Sequence, residues 1–100
     1  MEHVVAAPRV ANHPSALKRH RQSEKRRVRN RAVKTRLRHL IRDVRDLVGT
    51  RNLDAAAKSL AVATRALDKA VTKGVLHRNN AARRIARLAR DVSRLKSAGA

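Results

Sequence analysis

Four arginines near the C-terminal end, Arg83, Arg87, Arg90 and Arg94, recur at offsets of 0, 4, 7 and 11 residues. On a helix, at about 100° per residue, they fall within about 60° of one another and opposite Ile85 and Val92. Arg27, Arg31, Lys34, Arg38, Arg42 and Arg45 form a second line of the same kind. A guanidinium is planar, permanently charged and forked, so it can hold two phosphate oxygens at once. On an ordinary protein such a line is solvated surface. Here few acids are present to pair it, and phosphate contact is the chemistry the pattern points to.

The residues for other chemistry are not assembled. Asp43 and Asp46 stand at i, i+3 beside Arg42 and Arg45, where intrahelical ion pairing explains them. His3, His13, His20, His39 and His77 form no pair at metal-binding helical spacing. Ser59 and Ser93 have no base in register to activate them. Gly49, Gly74 and Gly99 are the only glycines, so no glycine-rich phosphate loop exists. The expectation is a protein that is not an enzyme, with no cofactor, no metal and no small-molecule substrate.

Charge and composition agree. The 100 residues carry 26 Lys and Arg against 7 Asp and Glu, a net charge of +19, and no Cys, Trp, Tyr or Phe. This excess implies a polyanionic partner, nucleic acid before an anionic membrane surface. Without aromatic rings, bases cannot be stacked as they are on single-strand platforms, leaving phosphates, sugar hydroxyls and shape to be read. Membrane-surface helices usually carry aromatic anchors that are missing here, and there is no apolar run of the roughly 18 residues a span needs. The opening MEHVVAAPRV lacks the charge and apolar length of a secretory signal. A soluble intracellular protein is the default expectation.

The elements that must position these cations can be read from apolar periodicity. Val33, Leu37, Leu40, Ile41, Val44, Leu47 and Val48 share one helical stripe, which Gly49 and Thr50 then break. Asn52 is a good N-cap with Asp54 in the following first turn. Leu53, Ala56, Ala57, Leu60, Thr64, Leu67 and Val71 form the next apolar face, and Gly74 is placed to stop that helix. A third helix opens at Asn79 or Asn80 with Ala81, Ile85, Leu88, Ala89, Val92 and Leu95 on one face. Short connections make successive helices antiparallel neighbours. The predicted architecture is an all-α three-helix bundle over residues 15–97. Its helices span about 15–48, 52–73 and 79–96, flanked by tails at 1–14 and 98–100.

The stretch from Leu17 to Arg31, LKRHRQSEKRRVRNR, holds eight Lys or Arg against one carboxylate. Asn12, Pro14 and Ser15 give it a helix start, since Pro is tolerated in the first turn. A helix from Ser15 to Val48 would reach roughly 50 Å. Leu17 and Val28 fall off the Val33 stripe, so packing should end near residue 32 and the basic opening should project beyond the core. Such a segment is expected to fray without a partner. A histone-like DNA-compacting protein would share the charge but would show Lys/Ala/Pro low complexity rather than three capped amphipathic helices; it stays the alternative.

Three segments carry a resemblance. ANHPSALKRHRQSEKRRVRN (Ala11 to Asn30), AVKTRLRHLI (Ala32 to Ile41) and KGVLHRNNAARRIARL (Lys73 to Leu88) resemble, in order, the bacterial small-subunit ribosomal protein numbered twenty. The likeness covers about residues 11 to 95. Members usually begin close to the Ala-Asn pair, whereas ten residues precede Ala11 here, and the family implies no role for them. The resemblance implies a three-helix bundle that binds 16S ribosomal RNA directly and early in assembly of the cytoplasmic small subunit. Its long first helix would reach among RNA helices. Matched to the family's motifs, the implied RNA contacts are Ser15, Lys18, Arg19, Arg21, Gln22, Lys25, Arg26, Arg27 and Asn30, then Lys73, His77, Arg78, Asn79, Arg83 and Arg84. The cationic lines add Arg31, Lys34, Arg38 and Arg87. Few or no protein contacts, no membrane and no homo-oligomer are expected.

Overall fold

The computed structural model describes residues 14–99. Three helices follow one another: α1 (Pro14–Gly49), α2 (Leu53–Thr72) and α3 (Arg78–Gly99), with no strand among the described residues. All but Pro14 of the expected N-terminal tail lies outside the described residues, and Pro14 itself opens α1. The chain divides into two compact units between Ala32 and Val33.

In the second unit, α1 behaves as its periodicity predicts. Leu37, Ile41 and Val44 are buried, while Val33, Leu40, Leu47 and Val48 are half-buried. Two apolar clusters form. Ile41 and Val44 meet Ala56 and Ala63 of α2 and Leu88, Val92 and Leu95 of α3. Leu37 meets Ala66, Leu67, Ala70 and Ala81, and Leu40 packs against both clusters. The end of α1 therefore lies with the start of α2 and the end of α3, which is the up-down-up arrangement that short connections dictate.

The faces of α2 and α3 differ in part from expectation. Ala57 and Ala89 are exposed, whereas Ala63, Ala66 and Ala70 are buried with Leu67. Alanine gains too little from burial to fix a helix's rotation; the larger Leu60 and Leu67 set it, and the alanines beside them or one turn away follow. Their small side chains let α2 and α3 pack closely. No polar or charged side chain is buried among the described residues, as a core this small requires.

Both turns use left-handed backbone, but only one uses glycine for it. At the end of α2, Gly74 has φ +78; its N–H donates to Val71 O at 3.0 Å and Val75 N–H to Ala70 O at 2.9 Å. This is the Schellman arrangement, with Val75 packed against the Ala70 cluster. At the end of α1 the same pair of bonds runs from Arg51 N–H to Val48 O and from Asn52 N–H to Leu47 O, both 3.0 Å. The left-handed residue there is Arg51, φ +59, and not the expected breaker Gly49, which stays in the last helical turn. Asn52 then caps α2 as predicted, its Oδ1 accepting from Ala55 N–H at 3.2 Å. Helix α3 starts at Arg78, earlier than Asn79, and continues through Ser97 and Ala98 to Gly99, because nothing after Leu95 breaks it.

In the first unit, the described residues 14–32 are helical throughout and none is buried. Val28 is 62% exposed, so the apolar side chains there contribute no core. Local propensity and pairs such as Arg27 Nη2 to Glu24 Oε2 at 2.8 Å act along the helix. An exposed pair of this kind contributes at most about 1 kcal/mol.

The two turns predict opposite signs for one exchange. An added Cβ at Gly74 meets nothing within 4 Å, so Gly74→Ala costs only the left-handed strain less the chain entropy it saves, about 0.5–1 kcal/mol. Arg51→Gly should gain a similar amount. Urea denaturation of both, with Arg51→Ala as the control for lost charge, checks this; equal stability of the glycine and alanine variants at position 51 would refute the strain.

Candidate nucleic-acid interface

The predicted contacts fall into two sets. In the first unit, Lys18, Arg19, Arg21, Gln22, Lys25, Arg26, Arg27 and Arg31 are exposed, as is Ser15, and Asn30 is half-buried. The helix distributes them around its circumference, so this segment is cationic on several sides rather than along one stripe. Arg27 leans on Glu24, and Arg29 Nη2 donates to Asn30 Oδ1 at 3.3 Å.

In the second unit the cations of α1 and α3 converge. One hollow of about 160 Å³ is lined by Ile41, Arg45, Arg83, Arg84, Arg87 and Leu88. A second, of about 310 Å³, is lined by Lys34, Leu37, Arg38, Leu76, Asn80 and Arg84. Five predicted residues, Lys34, Arg38, Arg83, Arg84 and Arg87, thus share one seam between two helices, and no carboxylate lines either hollow. Like charges over a low-dielectric floor concentrate positive potential there. Arg90 and Arg94 are exposed on α3 but line neither hollow. Asn80 belongs to the seam and was not among the expected contacts; its Oδ1 accepts from Arg84 Nε at 2.7 Å. Its i, i+4 spacing from Arg84 is the signal that marks the pair.

The α2–α3 connection assigns local structural roles to several motif residues. Lys73 is the C-cap of α2 and its N–H donates to Lys69 O. His77 caps α3: its Nδ1 accepts from Asn79 N–H at 3.1 Å, and its carbonyl accepts from Asn80 and Ala81. With Nδ1 accepting, the ring N–H of the neutral imidazole is at Nε2. Arg78 and Asn79 are exposed in the first turn.

Among the described residues no group of His, Cys, Asp and Glu could hold a metal ion, and no helix is long and apolar enough to cross a membrane. Fold and surface together define a class: a small all-α protein with an apolar core whose helices present cations in large excess over acids. The family model for Ribosomal protein S20 matches residues 11–93. A small ribosomal subunit protein bS20 of Nitratidesulfovibrio vulgaris is 50% identical over 86 residues, 86% of this chain and 99% of the relative. The protein of the same name from Solidesulfovibrio magneticus is 51% identical over 89 residues, 89% and 100% of the two chains. That of Syntrophobacter fumaroxidans is 43% identical over 86 residues, 86% and 100%. The chain belongs to the ribosomal protein S20 family, a family of structural proteins of the ribosome and not of enzymes.

The imidazole cap yields a stability prediction. Replacing an N-cap acceptor by Ala typically costs about 1 kcal/mol, so His77→Ala should lower the unfolding free energy by that order and His77→Asn should largely retain it. Denaturant titration followed by circular dichroism reads both; equal losses would remove the capping role.

Proposed function

We propose that this chain binds 16S ribosomal RNA directly, through phosphate contacts of α1 and of the α1/α3 seam, and supports early assembly of the small subunit. The observation that carries the reading is the seam itself, six Lys and Arg side chains lining two adjoining hollows without an acid. Each phosphate neutralised there releases counterions, which is the source of the affinity. Arginine forks suit phosphate oxygens better than they suit water, and the absence of Phe, Tyr and Trp directs recognition to backbone and shape.

The predicted contacts in 14–32 extend this reading. A helix with no buried side chain gains little from its own chain, so RNA phosphates supply the interactions that hold it and reduce its self-repulsion. The exposed large apolar residues among those described, Leu17, Val28 and Val62, are single side chains spread over two helices. They make no patch of the size a protein partner or second copy needs, which supports few protein contacts and a monomer within the particle.

Three measurements test the proposal. In competition binding at fixed salt, folded 16S RNA should displace labelled 16S RNA far better than random duplex DNA; equal competition would favour the DNA-compacting alternative. The log–log salt slope should be steep, each phosphate contributing about 0.7–0.9. Helicity measured by circular dichroism should rise when RNA is added, and equal helicity in both states would refute RNA-supported order in 14–32.

A further inference from the structure

We propose that the α1/α3 seam is one continuous track for the sugar-phosphate backbone of a single RNA strand, with Arg84 held at its midpoint by Asn80. The inference rests on the RNA-binding reading above and goes beyond it by naming a path and a positioning residue.

The two hollows adjoin at Arg84, which lines both. On the α1 side Lys34, Arg38 and Arg45 mark the wall, spanning about 16 Å at 1.5 Å per residue. Arg84 and Arg87 face them from α3. The floor consists of Leu37, Ile41, Leu76 and Leu88, aliphatic side chains that are buried or half-buried. Cationic walls over an aliphatic floor match the two chemistries of a sugar-phosphate chain, anionic oxygens outward and ribose carbons inward. They do not match a base, which would seek an aromatic face or paired donors and acceptors.

Arg84 differs from its neighbours in being tethered within the seam. Its Nε donates to Asn80 Oδ1 at 2.7 Å, which uses one of five N–H donors and leaves those of both terminal amino groups for a ligand. A long side chain ordinarily loses rotamer freedom when it grips a ligand; one already held loses less. Asn80 is neutral, so it orients the guanidinium without cancelling its charge, as an acid in the same place would. It is a positioning residue.

This separates charge from orientation in a way that salt titration can read. With full-length transcribed 16S RNA, Arg84→Ala should weaken binding about tenfold and reduce the log–log salt slope by about 0.7–0.9. Asn80→Ala should weaken binding about threefold with the slope unchanged, since no cation is lost. Arg84→Lys should behave like Asn80→Ala, and the double alanine variant should lose no more than Arg84→Ala alone. Arg65→Ala on α2 controls for net charge. Thermal melts of each variant establish that it is folded. The proposal is overturned if Arg84→Ala loses no more than Arg65→Ala, or if the effects of Asn80 and Arg84 simply add. Failure of the wild-type chain to prefer 16S RNA over duplex DNA would instead overturn the underlying RNA-binding reading.

Discussion

Electrostatic self-repulsion is the constraint on which the rest of this molecule depends. A net charge of +19 on 100 residues cannot be neutralised by seven carboxylates, and ion pairs at the surface are too weak to offset it. The fold answers by separating its tasks. Apolar side chains from three helices close two small clusters with nothing polar inside, while the cations stay at the surface where solvent and salt screen them. What remains unbalanced is left for an outside polyanion, so the surplus that strains the free chain is the same surplus that drives association.

The core must be economical, and alanine makes it so. Ala56, Ala63, Ala66 and Ala70 lie along one face of α2 with Leu67, allowing a close approach to α3 that larger side chains would prevent. Each alanine contributes little apolar area, so the anchoring falls on Leu67, Leu88 and Val44, the largest side chains with almost no exposure. The turns add fixed geometry: two Schellman motifs, an Asn cap and a His cap define the end of α1, both ends of α2 and the start of α3. In a unit this small, such terminal hydrogen bonds are a substantial share of what specifies the arrangement.

The same features decide what was legible in the sequence. The α1 stripe from Val33 to Val48 is read correctly because its large apolar side chains lie on one side and its charges on the other. The rotation of α2 is read less well, because alanine at 57 and alanine at 63 look alike until leucine packing chooses between them. Arg51 escapes because left-handed backbone is associated with glycine, and Gly49, two residues earlier, is the expected breaker. His77 escapes as a cap because Asn79 and Asn80 are the more familiar capping residues. For the cationic surface, periodicity assigns each arginine a direction on its own helix but says nothing of what faces it. Arg83 and Arg90 are equivalent on that basis, yet only Arg83 lines the seam.

Orientation is therefore a second property of the cations, beyond number. In residues 14–32 the lysines and arginines are carried by a helix without buried side chains, and their directions come from the helix backbone and from local partners such as Glu24 for Arg27 and Asn30 for Arg29. In the seam, direction comes from two packed helices and, for Arg84, from a side-chain acceptor one turn away. The first arrangement can adapt to an irregular polyanion at the expense of ordering on contact. The second is set before contact and can favour one path of phosphates over another. On the RNA-binding reading proposed above, the first segment supplies broad contact and the seam fixes register, which nonspecific charge alone would not achieve.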